Sequence, residues 1–198
     1  MESNLFDHVL VSTDDDQIAE VAVAMGAQTP FMRPASLSDD HCATLPVIQH
    51  AITWAQTNWG SVDYVCTLYA TAPFVTSHVL VSAYQQLIDY PQKVYAFGVC
   101  SFPSPIQRAF KKTANQGVEM FNPAYFDTRS QDLEEAFFDA GQFYWGKTDA
   151  FLTGLNMFDD HSLPIVLPQH LVQDIDTLDD WLRAEAMFKA NNSIKGTA

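Results

Sequence analysis

Phe6-Asp7-His8-Val9-Leu10-Val11-Ser12, running into Thr13-Asp14-Asp15-Asp16, is the stretch on which the fold turns. Its first part is a short apolar run ending in small polar residues, which predicts a buried strand over 6–12. The acidic residues that follow are helix N-cap types. Ile18, Val21, Ala22 and Met25 then recur at helical spacing, and Gly26 supplies a stop. A strand feeding directly into a helix is the opening of an α/β unit.

Reading outward, the same rhythm repeats. A second short strand is expected over 28–31. Thr44 is read as the cap of the next helix, with Pro46 in its first turn and Leu45, Ile48, Ile52, Ala55 and Trp59 as its apolar stripe. A strand over 63–69, a helix over 77–88 and a strand over 93–99 follow. Residues 101–139 lose the alternation. They are rich in Pro, Phe and Gln, and are read as an insert within one domain. Strands return at 142–145 and 165–167. Thr177 caps a last helix containing Leu178, Trp181, Leu182 and Phe188, with Asp180 as its capping-box partner. The predicted class is therefore α/β, a mostly parallel sheet flanked by helices. One domain spans 1–190, and a frayed tail covers 191–198.

Composition bounds the function. The chain has 198 residues, 47% of them apolar, which suits one globular core. Its net charge of −14 disfavours nucleic acid and anionic membranes as partners. The N-terminus lacks the layout of a signal peptide, and no apolar run is long enough to cross a bilayer. Three widely spaced cysteines, Cys42, Cys66 and Cys100, suit a reducing cytoplasm. With only ten Lys and Arg in the chain, each basic residue in a motif carries weight.

Asp174-Ile175-Asp176-Thr177 is the sharpest chemical feature. In an extended segment, residues two apart point the same way, so both carboxylates address one spot while Ile175 faces inward. Two such charges repel unless a cation or protons intervene. Mg²⁺ bound by one or two carboxylates plus substrate phosphates fits that arrangement, whereas plain helix capping is the simpler alternative. Ligands of open α/β sheets bind beyond the carboxyl ends of strands, which favours the metal. Asp14, Asp15 and Asp16 are read mainly as helix-capping residues. Arg33, Arg108 and Arg129 are candidates for phosphate or carboxylate recognition. Neither standard Gly-rich phosphate loop occurs, and the six His show no zinc spacing.

Taken together, the strings resemble a known family. Val11-Ser12-Thr13-Asp14-Asp15, then Arg33-Pro34-Ala35 with Leu37 and Asp39, then Asp174-Ile175-Asp176-Thr177 with Asp179 look like the acylneuraminate cytidylyltransferases, over about 5–185. Two further strings resemble the pseudaminic acid branch. They are Ser104-Pro105-Ile106-Gln107-Arg108-Ala109, and Arg129-Ser130-Gln131-Asp132-Leu133 through Asp139-Ala140-Gly141-Gln142-Phe143-Tyr144-Trp145-Gly146.

The resemblance implies a nucleotide-diphospho-sugar transferase fold, Rossmann-like, with 101–139 as a dimerisation insert, so the partner would be a second copy. It implies CTP and a nonulosonic acid sugar as substrates, with Mg²⁺ held by Asp174 and Asp176. Arg33, Asp40 and Thr44 would lie near the cytidine. Tyr69, Gln107, Arg129 and Tyr144 would line the sugar side, Arg129 taking the carboxylate. The sugar's anomeric hydroxyl would attack the α-phosphate, releasing pyrophosphate. Sialic acid as the sugar, or an inactive binding remnant, are the alternatives. One departure stands out: the family's opening strand and its Gly-, Arg- and Lys-rich phosphate loop have no counterpart here. That implies an N-terminally incomplete domain, from a misplaced start or a truncation. Low activity and marginal stability are expected of the 198-residue species alone.

Overall fold

The computed structural model describes residues 3–39 and 41–195. Its helices are α1 (Asp16–Ala24), α2 (Thr44–Trp59), α3 (Ser77–Asp89), α4 (Thr148–Thr153) and α5 (Leu178–Lys195). Its strands are β1 (Tyr64–Leu68), β2 (Tyr95–Ser101), β3 (Phe110–Lys112), β4 (Val118–Met120), β5 (Phe137–Lys147) and β6 (Ser162–Val166). Four strands form a sheet in the order β1-β5-β2-β6, and β3 and β4 form a separate hairpin.

The expected α/β sheet is present, and it is mixed. β5 runs antiparallel to β1, with Cys66 opposite Trp145 and Thr67 opposite Tyr144. The chain enters β5 from the irregular 101–136 segment and not from a crossover helix, and the Phe102 N–H donates to the Ala136 carbonyl at 3.1 Å. Without a crossover helix nothing enforces a parallel strand.

The chain divides into two compact units. One comprises Met1–Tyr69, Val75–Phe97 and Phe143–Leu163; the other Ala70–Phe74, Gly98–Gln142 and Pro164–Ala198. The first unit is built on aromatics. Tyr95, Phe143, Phe151 and Leu87 are fully buried. Trp145 stacks on Phe6 at 5.2 Å, meets Tyr84 at 4.9 Å, and donates its indole N–H to the Leu80 carbonyl at 3.1 Å. Gly146 lies where a Cβ would come within 2.5 Å of the Phe151 ring and 2.6 Å of Tyr95. α2 is tied to α4 by the Gln49 amide, which donates to the Phe151 carbonyl at 2.9 Å.

The strand expected over 6–12 shortens to two isolated parallel bridges, Leu10 with Gln28 and Thr13 with Met32. Val11 N–H donates to Gln28 O, Gln28 N–H to Val9 O, and Arg33 N–H to Thr13 O. Pro30 sits between these rungs and has no N–H to give, so the ladder is interrupted there. α1 begins at the N-cap Asp15, whose Oδ1 accepts from Gln17 and Ile18 N–H. The cap of α2 is Ala43 and not Thr44, because Ala43 is the last extended residue and Thr44 is already helical.

In the second unit, Val99, Cys100, Ala140, Ile165, Leu167 and Ala184 are buried. Gln142 is 2% exposed and donates to the Leu171 carbonyl at 2.7 Å, which satisfies its amide in the core. β5 begins at Phe137, inside the stretch read as irregular, and α5 continues to Lys195, beyond the expected fraying point at 191. Residues 196–198 of that expected tail lie outside the described residues. Between β2 and β5 lie the hairpin and three short turns of 3-10 helix, and Phe110, Val118, Phe121 and Phe126 there are exposed.

Candidate functional site

In the first unit, the residues expected around the nucleotide and sugar form two small groups. Arg33 leaves the second bridge and is pinned from three directions. Its guanidinium pairs with Asp14 Oδ1 at 3.0 Å and donates to the Ser38 hydroxyl at 3.1 Å and the Ser12 carbonyl at 3.4 Å. Asp14 therefore orients Arg33, a role that the sequence reading, which took Asp14 mainly as a helix-capping residue, did not assign. The Ser12 hydroxyl beside it is buried without a hydrogen-bond partner. Asp40 lies outside the described residues.

The second group runs Thr44–Tyr69–Tyr144. Because Thr44 is not the cap, its hydroxyl is available to Tyr69, which donates to it at 3.2 Å. The Tyr69 and Tyr144 rings meet at 5.3 Å, and Phe97 stacks on Tyr144 at 6.0 Å. Tyr144 is buried in β5, while Tyr69 follows the end of β1. The result is a part-exposed Tyr69 ring and hydroxyl backed by buried aromatic rings, which suits a sugar or a base edge.

In the second unit, Gln107 and Arg129 stand on strings that the structure brings together. The Arg108 guanidinium donates to the Ser130 hydroxyl at 2.6 Å, and the Gln107 amide donates to the Glu134 carbonyl at 2.8 Å. The Gln107 Oε1 atom is buried and accepts no hydrogen bond. Arg129 is exposed and paired with Asp132 at 2.8 Å.

Asp174 and Asp176 line one pocket together with Phe138, Asp139, Ala140, Val172, Gln173 and Asp180. The local chain is rigidly organised. Gln173 donates to the Asp174 carbonyl at 2.6 Å and to Asp180 Oδ1 at 3.3 Å. Asp174 Oδ1 accepts the Ile175 N–H at 3.0 Å. Asp180 Oδ2 accepts from the Thr177 hydroxyl at 2.7 Å and the Thr177 N–H at 3.0 Å, and Asp180 N–H donates back to that hydroxyl at 3.3 Å. This is the capping box expected from the sequence. The Thr177 hydroxyl above all, then backbone N–H donors and Arg183, hold the Asp180 carboxyl below its ordinary pKa.

The donor set fits a hard divalent cation, since carboxylate oxygens are what Mg²⁺ takes. Among the described residues no group of three or more His, Cys, Asp and Glu is arranged to hold a metal by itself. That suits an ion completed by substrate phosphates and water, which is how Mg²⁺ is usually held. Opposite Asp174 lies Gly141, at φ +61°, where a Cβ would come 3.1 Å from Asp174 Oδ2. The missing side chain leaves the carboxylate its seat. Sequence reading quoted the string containing Gly141 but gave the residue no role.

Comparison with known proteins places these features in context. A family model described as cytidylyltransferase matches residues 1–162. The pseudaminic acid cytidylyltransferase of Campylobacter jejuni subsp. jejuni serotype O:2 is 42% identical over 97% of this chain and 82% of its own length. N-acylneuraminate cytidylyltransferase A of Danio rerio is 29% identical over 93% of this chain and 42% of its own. Among solved structures, CMP:2-keto-3-deoxy-manno-octonic acid synthetase complexed with CTP superposes with a TM-score of 0.62. It is 12% identical, with 96% of this chain and 85% of that one covered, a likeness of fold.

Proposed function

The chain belongs to the cytidylyltransferase family, and from that membership we propose that it joins CTP to pseudaminic acid, forming CMP-pseudaminic acid and pyrophosphate. The observation that carries the substrate is the 42% identity, over 97% of this chain, to an enzyme named for that sugar. In the reaction the sugar's anomeric hydroxyl forms a bond to the α-phosphorus of CTP. The bond from that phosphorus to the pyrophosphate oxygen breaks, and the hydroxyl proton is lost.

Within the first unit, Arg33, held by Asp14, Ser38 and Ser12, and Thr44 meet the nucleotide; Asp40 is assigned to the nucleotide from the family resemblance alone. Tyr69 offers the sugar a ring face and a hydroxyl, and the buried Tyr144 ring, tilted against it, backs the sugar side. Within the second unit, Gln107 presents its unpartnered Oε1 to a sugar hydroxyl, and Arg129 exchanges Asp132 for the sugar carboxylate. Asp174 and Asp176 hold Mg²⁺, which when bound neutralises charge on the phosphates. The protein's own contribution is placement and charge complementarity. Residues 1–190 act as one catalytic domain, 101–139 is its dimerisation insert, and the enzyme works as a cytoplasmic homodimer. Among the described residues no helix is long and apolar enough to cross a membrane.

The test is a single-turnover incubation with protein in excess over CTP, in Mg²⁺, with pseudaminic acid or N-acetylneuraminate. Pyrophosphate release and the mass of the CMP conjugate are read. Conversion of pseudaminic acid at least about tenfold faster is expected, a gap that a few mismatched polar contacts produce. Equal rates, or faster conversion of N-acetylneuraminate, would overturn the substrate assignment.

A further inference from the structure

Gly141 interrupts an otherwise regular strand. It stands at φ +61° in the middle of β5, between Ala140 and Gln142, which are 3% and 2% exposed. A left-handed residue inside a strand marks a bend that re-aims the neighbouring chain, and such bends gather beside functional sites. This one is fastened on both sides. The Gly141 N–H donates to Asp139 Oδ1 at 3.0 Å, and the Gln142 amide ties β5 to the Leu171 carbonyl, just before the acidic segment. On the facing segment, Asp174 is fastened too: its carbonyl accepts from Gln173, and its Oδ1 is occupied by the Ile175 N–H.

That leaves Oδ2 as the second carboxylate oxygen of Asp174, and Oδ2 lies beside Gly141. A Cβ added there would lie 3.1 Å from Oδ2, 3.6 Å from Cγ and 4.0 Å from the Asp174 Cβ. The carboxylate would have to give way by a few tenths of an ångström. We propose that Gly141 is a positioning residue for the cation: its missing side chain fixes where Asp174 Oδ2 sits, and so sets the affinity of the site for a divalent metal. This inference rests on the assignment of Asp174 and Asp176 as metal ligands.

Two causes of harm at Gly141 must be separated, backbone strain and displacement of Oδ2. Asn tolerates the left-handed region better than Ala, yet carries the same Cβ. The experiment measures Mn²⁺ affinity of the full chain by electron paramagnetic resonance, with and without CTP, alongside the thermal midpoint. Gly141→Ala is expected to lower both, with Mn²⁺ affinity falling about tenfold, the lower end of what a ligand-orienting neighbour costs. Gly141→Asn is expected to recover most of the midpoint and none of the affinity. In an Asp174→Asn background, already weak for Mn²⁺, adding Gly141→Ala is expected to change the affinity no further.

Recovery of affinity by Gly141→Asn, or a full additional loss in the Asp174→Asn background, would overturn the positioning role while leaving Asp174 a ligand. Unchanged Mn²⁺ binding in Asp174→Asn itself would overturn the metal assignment, and the role of Gly141 with it.

Discussion

The Asp180 carboxylate is held by the Thr177 hydroxyl and N–H at the start of α5, and its pKa lies below the ordinary carboxylate range. A depressed folded-state pKa gives stability that is complete above the unfolded value of about 3.9 and is lost as the pH falls through the folded value. Urea midpoints taken from pH 5 downward should therefore fall more steeply for the natural chain than for Asp180→Asn. Parallel slopes would count against this account. Tyr69→Phe deletes the hydrogen bond to Thr44 but keeps the ring against Tyr144. Its expected stability cost is about 1 kcal/mol, the net worth of one hydrogen bond, measured by urea unfolding. The Thr177–Asp180 pairing was legible because its partners sit three apart on one helix end. The Asp174–Gly141 seat was not, since its partners are far apart in sequence and the glycine's sign of φ leaves no mark in the pattern. Thr44 was misread for a related reason: Thr is a good cap wherever it falls, and only the backbone angles of Ala43 move the helix start.

β5 carries most of the folding information at the level of elements. Residues 143–147 of this strand serve the first unit and 137–142 the second. Gly146 admits no side chain, because a Cβ would collide with Phe151 and Tyr95, both fully buried. Gly146→Ala is expected to cost about 1–3 kcal/mol by overpacking, read from chemical denaturation. A change below a few tenths would mean that the two rings yield freely. The alternation of strands and helices made the α/β class readable from the chain alone, and α3 and β1 fall within a residue or so of expectation. What the alternation hid was direction. A strand's pattern is the same whichever way it runs, so nothing in Phe143-Tyr144-Trp145 announces an antiparallel partner for β1. The truncated ladder near Thr13 was written in Pro30, a residue that weighs little in a hydrophobic profile and decisively in a hydrogen-bond pattern.

Across the whole molecule, a net charge of −14 coexists with several exposed apolar side chains between β2 and β5. Phe110, Val118, Phe121 and Phe126 are 61% to 71% exposed. Exposed apolar surface of that kind usually meets a partner. If a second copy covers it, Phe121→Ser combined with Phe126→Ser should weaken the dimer roughly thirtyfold in sedimentation equilibrium, taking about 2 kcal/mol for loss of an aromatic anchor. An unchanged dissociation constant would place the interface elsewhere. Finally, the setting of Trp145 lends the protein a built-in optical reporter. Trp145 is 3% exposed between Phe6 and Tyr84 in one unit, whereas Trp181 is 53% exposed in the other. With the half-buried Trp54 and Trp59 of α2 replaced by Phe, blue-edge emission will follow the loosening of the first unit's ring stack, while red-edge emission and quenching by iodide will follow α5. A single cuvette can thus show whether the two units melt together or in turn.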